Sequence, residues 1–149
     1  MSMTFYTRTE DKSIPQDLEC GPNFSNMNYR SLVKFCMDTL DKWEEELPSP
    51  INSQLNEEER KGLKTRLQTC ASTWESLQPV DGLSKDSVTA FDLKNAICSV
   101  FSFVLFEEAF GSYQNLYELH ESYKEHILRL NHMMCWVMHL PPTMEIYAA

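Results

Sequence analysis

The segment from residue 56 to residue 109 constrains the fold of this chain more than any other. In its first half, apolar residues recur at spacings of four, three, four and three: Leu63, Leu67, Cys70, Trp74 and Leu77. This is the spacing of a coiled-coil seam, which is narrower than the apolar stripe of an ordinary surface helix. The second half is apolar on nearly all sides between residues 96 and 106. The segment therefore predicts two long helices with a large apolar surface.

A short polar turn separates these two helices. Pro79 and Gly82 are expected to end the first helix, and Ser84 and Asp86 are residue types that cap the start of the second. We expect the helices to fold back on each other as an antiparallel hairpin. Since one hairpin alone leaves its seam partly wet, a second copy is expected to cover it, which gives a homodimer built on a four-helix bundle. The expected dimer interface consists of Leu63, Leu67, Cys70, Trp74, Leu77, Phe91 and Cys98.

The flanking sequence predicts two further helices. Residues 28–47 carry apolar residues at helical spacing, and Pro48 ends this pattern because proline disfavours helix for the residue before it. Residues 113–142 hold a last helix, which Pro141 and Pro142 end.

The two ends of the chain show no period that persists. Residues 1–25 are expected to form an irregular arm, and residues 143–149 an extended tail. No stretch alternates with period two over a useful length, as a half-buried strand would. We therefore predict an all-α fold and a single domain over residues 1–149.

The five cysteines are scattered and odd in number, and the N-terminus lacks the pattern of a signal peptide. These features favour a reduced intracellular setting. Cys70 has two interpretations. Near a twofold axis it would face its own copy and form an intersubunit disulfide. Otherwise it is a small buried thiol, which is the interpretation we favour.

Charge and hydropathy exclude two classes of partner. The formal net charge is −9, which argues against binding of nucleic acid by this chain as given. The uncharged, largely apolar run of residues 95–106 is too short to span a bilayer, so no membrane insertion is expected. Association is instead expected to depend on apolar contact.

No arrangement of residues typical of an active site is found, so we expect no enzymatic activity, no cofactor and no metal. His132, Cys135 and His139 share one helical face and approach a zinc site, but a fourth ligand would have to come from elsewhere. The residues His120, Glu121, Glu125 and His126 lack the Glu-x-x-His spacing of di-iron bundles. In both cases ordinary packing or surface histidines are the favoured interpretation.

Three motifs occur in the order found in the core (capsid) proteins of hepadnaviruses and their relatives. They are Asp38-Thr39 followed by WEEELPSP at residues 43–50, DGLSKDSV at residues 81–88, and Trp136 followed by Pro141-Pro142. The chain resembles that family from about residue 38 to residue 142. The long segment between residues 110 and 136 suggests a divergent relative, such as one from a fish virus.

The resemblance implies a viral capsid protein that dimerises and then assembles into an icosahedral shell around the viral nucleic acid. It implies a virion location, with passage through the host cytoplasm and nucleus, and the viral envelope protein as a further partner. RNA or DNA would be bound only by a basic tail, and the given sequence holds none. The implied contacts between dimers are Trp136, Pro141, Pro142 and Tyr147, and the implied spike tip is Asp81, Gly82, Ser84, Lys85 and Asp86.

Two other functions are consistent with a helical chain. One is a small intracellular adaptor, such as a viral Bcl-2-like protein, that presents a groove to an amphipathic partner helix. The other is a helical-bundle enzyme or metalloprotein, which rests on the histidines alone. We rank the capsid function first and the adaptor second.

Overall fold

The computed structural model describes residues 2–7, 20–110 and 116–149, with residues 108–110 and 116–122 described by their backbone alone. The helices are α1 Asn26–Glu45, α2 Ser49–Asn52, α3 Glu57–Ser76, α4 Ala90–Phe110 and α5 Leu116–Val137. The strands are β1 Ser2–Thr7, β2 Cys20–Ser25, β3 Pro79–Val80, β4 Leu83–Ser84, β5 Val88–Thr89 and β6 Glu145–Ala148.

Four strands form one antiparallel sheet in the order β2-β1-β6-β5. The two ends of the chain meet at its centre, where Phe5 pairs with Ala148 and Tyr6 with Tyr147. Met3 and Phe5 are buried on the face that meets the helices, whereas Tyr6 stacks on Tyr147 at a ring-centroid distance of 5.6 Å. The sheet thus closes one side of the helical core.

The all-α prediction is wrong, because the protein is a mixed α/β fold. The segment predicted as an irregular arm contributes β1 and β2, and residues 8–19 of that arm lie outside the described residues. The segment predicted as an extended tail contributes β6. These strands have two to six residues, so a period of two has little length in which to show itself.

Local signals fix the starts of the helices. The Ser25 side chain accepts a hydrogen bond from the Asn28 backbone N–H at 3.2 Å, which caps α1. A capping box starts α3: the Asn56 side chain accepts a hydrogen bond from the Glu59 N–H at 2.8 Å, and the Glu59 carboxylate accepts one from the Asn56 N–H. Pro48 follows the end of α1, and the short helix α2 comes directly after it.

The seam of α3 is turned into the core of its own chain. Leu67, Cys70, Trp74 and Leu77 are buried between α1 and α4. The Tyr29 hydroxyl of α1 donates to the Leu77 carbonyl oxygen, and the Cys70 thiol lies 3.4 Å from the Ser99 hydroxyl of α4.

The expected four-helix bundle with a second copy is therefore corrected. The surface that was expected to need a partner molecule is already covered by α1, a helix of the same chain. Burial of these four side chains stabilises the fold of the single chain, at roughly 1.5–3 kcal/mol for each large apolar side chain.

The turn between α3 and α4 is tied to the sheet. Asp81 and Gly82 both have positive φ values, 51° and 79°, and join β3 to β4 in the tight turn that favours Gly at such a position. Ser84 is buried, and its hydroxyl accepts a hydrogen bond from the Ala148 N–H at 3.0 Å. In the part of the chain that the structure describes, no helix has the length and apolar character needed to cross a membrane.

Candidate functional site

Two exposed stripes of residues run along neighbouring helices. On α4 the stripe consists of Phe91, Lys94, Cys98, Phe101 and Leu105, spaced by three, four, three and four. On α5 it consists of Lys124, Leu128, Asn131, Cys135 and Met138, spaced by four, three, four and three and reaching one residue beyond the helix. All are exposed except Phe101, which is half-buried. We call these ten residues the α4–α5 face.

The two helices run side by side in opposite directions. At one end, the Phe91 N–H donates to the Pro142 carbonyl oxygen at 3.0 Å, so the start of α4 is held against the chain that follows α5. At the other end, Phe101 and Leu105 face Tyr123 and Leu128 across a groove. The two helices are therefore held together at both ends of the α4–α5 face.

The groove at that second end has a volume of about 330 Å³. Its lining is apolar or aromatic except at Lys124, and consists of Phe101, Val104, Leu105, Tyr123, Lys124, Ile127 and Leu128. Leu105 is 62% exposed and Leu128 is 54% exposed, one on each side. Large apolar side chains exposed together around a concave site are typical of an interaction surface.

The charge of the α4–α5 face differs from that of the chain. The chain carries a net charge of −9, yet the charged residues of the face are Lys94 and Lys124, and none of its ten residues is acidic. Neither lysine takes part in an ion pair with another described residue. The face is thus an apolar, locally positive surface on an acidic protein.

The residues predicted for the dimer interface divide into two groups. Leu67, Cys70, Trp74 and Leu77 are buried in the chain, and Leu63 is half-buried. Phe91 and Cys98 are exposed and belong to the α4–α5 face. The structure therefore does not bring the seven together into one surface.

The residues implied for contacts between dimers also separate. Trp136 is 7% exposed and packs near Phe5 at a ring-centroid distance of 6.3 Å, so it belongs to the core. Tyr147 is half-buried in β6, where it stacks on Tyr6. Pro141 is half-buried and Pro142 is exposed.

The predicted hairpin tip is a compact turn. Asp81, Gly82, Lys85 and Asp86 are exposed there, and Lys85 forms an ion pair with Glu75 of α3 at 3.0 Å. Ser84 is the exception, because it is buried and bonded to β6. An exposed ion pair of this kind is worth about 0–1 kcal/mol.

Three of the four histidines are placed as packing and surface residues, and the side chains of His120 and Glu121 lie outside the described part of the chain. The described residues contain no group of three or more His, Cys, Asp or Glu side chains arranged to hold a metal ion. His132 is exposed and meets the Phe24 ring edge-on, and Cys135 and His139 are exposed beside it. His126 stacks on Phe35 at 4.4 Å, and burial, followed by the nearby Arg129, lowers its pKa while Glu125 opposes the change.

A larger depression of about 520 Å³ lies between the end of α1 and the start of α3. Its charged residues are three glutamates and three basic residues, namely Glu45, Glu46, Glu57, Arg60, Lys61 and Lys64. The charges balance, and all of these side chains except the half-buried Arg60 are exposed. Since it offers neither apolar anchors nor one sign of charge, we assign the functional site to the smaller groove.

Sequence reasoning missed the α4–α5 face. The spacing of Tyr123, Ile127 and Leu130 in the last helix indicates one inner apolar stripe, and residues 96–106 were taken as apolar on nearly all sides. The available signal was the set of apolar residues left outside the inner stripe, Leu128 and Met138 among them. A second apolar stripe on the outer side of a helix, at the same spacing, indicates that the helix packs against something on both sides.

No protein-family model matches this sequence, and no curated protein or solved structure is significantly similar to the chain.

Proposed function

We propose that this chain is a protein-interaction module that binds an amphipathic helix of a partner protein along the α4–α5 face. The observation that carries the proposal is the apolar groove between Phe101, Leu105 and Leu128. Binding of a helix in an apolar groove depends on anchors spaced by three and four residues. The two stripes of the face have that spacing, so a third helix can pack against both.

The length of the face sets the size of the partner. The first and last residues of each stripe are 14 positions apart, which corresponds to about 21 Å at a rise of about 1.5 Å per residue. A partner helix of about four turns would cover it. Full burial of an exposed leucine contributes roughly 1.5–3 kcal/mol, so Leu105 and Leu128 are expected to act as the main anchors.

The test uses defined helical peptides and isotope-labelled protein. Peptides with a leucine seam at three- and four-residue spacing are titrated into the protein, and backbone amide shifts are recorded by NMR. We expect the shifts to concentrate on α4 and α5, and Leu105→Asp or Leu128→Asp to weaken binding at least tenfold, since a charge replaces an apolar anchor.

The matched control is Leu83→Asp, which introduces the same charge at an exposed leucine of the hairpin tip. This variant is expected to bind as the unmodified protein does. Shifts that concentrate on the tip or on α3, or equal losses in all three variants, would contradict the proposal.

The capsid function stays a prediction. It would have to use an interface other than the seam of α3, because Leu67, Trp74 and Leu77 are buried in the chain. The exposed Phe91 and Cys98 are the part of the predicted interface still open to another molecule. They belong to the α4–α5 face, so a dimer built on them would compete with a partner helix for the same surface.

A further inference from the structure

We infer that the partner helix carries acidic side chains on both flanks of its apolar seam, positioned to meet Lys94 and Lys124. This inference rests on the proposed function, because it concerns the chemistry of whatever binds the α4–α5 face. It follows from the positions of the two lysines, from the composition of the face and from the charge of the whole chain.

The two lysines stand on opposite helices and at different levels of the face. Lys124 lines the groove at the level of Phe101 and Leu105. Lys94 lies seven residues before Phe101 on α4, which is about 10 Å further along the face. A helix lying between the stripes passes Lys94 on one flank and Lys124 on the other, about two turns apart.

Carboxylates of the partner helix at those two places would form ion pairs with the two lysines. Both lysines are exposed and lack an ion-pair partner among the described residues. A lysine keeps its charge in solvent while its alkyl stem packs on apolar surface, so both can border a docked helix. Opposite charge at the edge of an interface sets orientation and specificity more than affinity.

The same lysines argue against a second copy of this chain as the occupant. A symmetric dimer places the same patch of each copy against the other. The α4–α5 face supplies two lysines and no carboxylate among its ten residues, so such a dimer would leave four lysines at the interface without an acidic partner in it.

The net charge of the chain predicts a preference for basic peptides, which is the opposite of the inferred preference, so an experiment can distinguish the two. A protein of charge −9 attracts basic peptides in general. At about 0.01 M salt, charges interact over roughly 30 Å, so the charge of the whole chain affects peptide binding. At about 0.15 M salt the range is about 8 Å, so the lysines next to the peptide determine the electrostatic preference. The inferred preference is therefore for an acidic peptide at the higher salt concentration.

The experiment compares two synthetic 21-residue peptides that share one leucine seam. One carries glutamate at all flanking positions and the other lysine, and dissociation constants are measured by fluorescence anisotropy in about 0.15 M salt. From the worth of exposed ion pairs we expect the glutamate peptide to bind about threefold to tenfold more tightly. The double variant Lys94→Glu with Lys124→Glu should reverse this order.

The control is the double variant Lys61→Glu with Lys64→Glu, which changes the net charge equally on the exposed side of α3. It should leave the order of the two peptides unchanged. Equal binding of both peptides to α4 and α5, or tighter binding of the lysine peptide, overturns the inference and leaves the proposed function standing. Failure of both peptides overturns the two together, and self-association through the face without peptide overturns the inference in favour of a second copy.

Discussion

Gly21 lies against the flat side of the Trp136 ring. A Cβ atom at this position would come within 2.6 Å of Trp136 Cδ2, so Gly21→Ala forces the ring or β2 to move. Such overpacking costs about 1–3 kcal/mol, and we expect a loss of that size in the free energy of unfolding measured with urea. Gly62→Ala is the control. Nothing lies within 4 Å of a Cβ there, and alanine in α3 should add about 1 kcal/mol. Equal effects of the two changes would contradict the described packing.

His126 makes stability depend on pH. Its pKa in the folded chain is lowered chiefly by burial, so the unfolded chain binds the proton more readily than the folded one. Stability from this group is present above its usual pKa of about 6.5 and is lost as the pH falls below it. His126→Gln should therefore reduce the loss in urea midpoint between about pH 7.5 and about pH 5.5. His132→Gln, an exposed change on the same helix, should keep the full loss, and the reverse order would be inconsistent with the burial of His126.

The turn between α3 and α4 is linked to the last strand, β6, through the Ser84 hydroxyl. Ser84 of β4 accepts a hydrogen bond from the Ala148 N–H of β6 and donates one to the Asp86 carbonyl oxygen at 3.1 Å. Ser84→Ala leaves a buried N–H without a partner, which should cost about 1–3 kcal/mol. Amide exchange of β6 should speed up as well, as seen by hydrogen–deuterium exchange. Ser72→Ala, at an exposed position of α3, should change neither quantity. Unaltered protection of β6 in the Ser84 variant would show that the strand does not rely on this bond.

In the whole molecule, other elements of the same chain cover the apolar seam of α3, which we expected a second copy to cover. We therefore expect a monomer of 17.4 kDa by light scattering at both low and moderate salt. The capsid prediction gives a dimer at low salt and hollow particles as salt screens the acidic repulsion. Particles seen by electron microscopy across a salt series would overturn the monomer expectation.

The substitution Trp74→Asp also distinguishes a monomer from a capsid dimer built on the α3 seam. With Trp74 fully buried in the chain, this change should unfold the protein rather than release folded monomers.

The sequence by itself determined the helices. Spacings of three and four residues and proline after α1 are local signals, and the structure has α1, α3, α4 and α5 within the segments that they indicate. Two bounds were wrong: α4 begins at Ala90 rather than at Ser84 or Asp86, which precede it in the turn, and α5 ends at Val137, before the two prolines. The same spacing showed that Trp74 lies on a buried seam, but not which helix covers it. An apolar stripe indicates only that a surface is buried. Either α1 of the same chain or a helix of a second copy could bury it.

Only the tertiary structure decided the sheet, the covering of the seam and the candidate site. β1 pairs with β6 across more than 130 residues, and strands of four to six residues have no pattern strong enough to predict a pairing so distant. Trp136 was read as an assembly contact, yet the sheet formed by the two ends buries it. The α4–α5 face exists because α1, α3 and the sheet cover the inner sides of the two helices and leave Leu105 and Leu128 outside. Local periodicity sets which residues share a helix side, while the long-range contacts decide which side meets solvent.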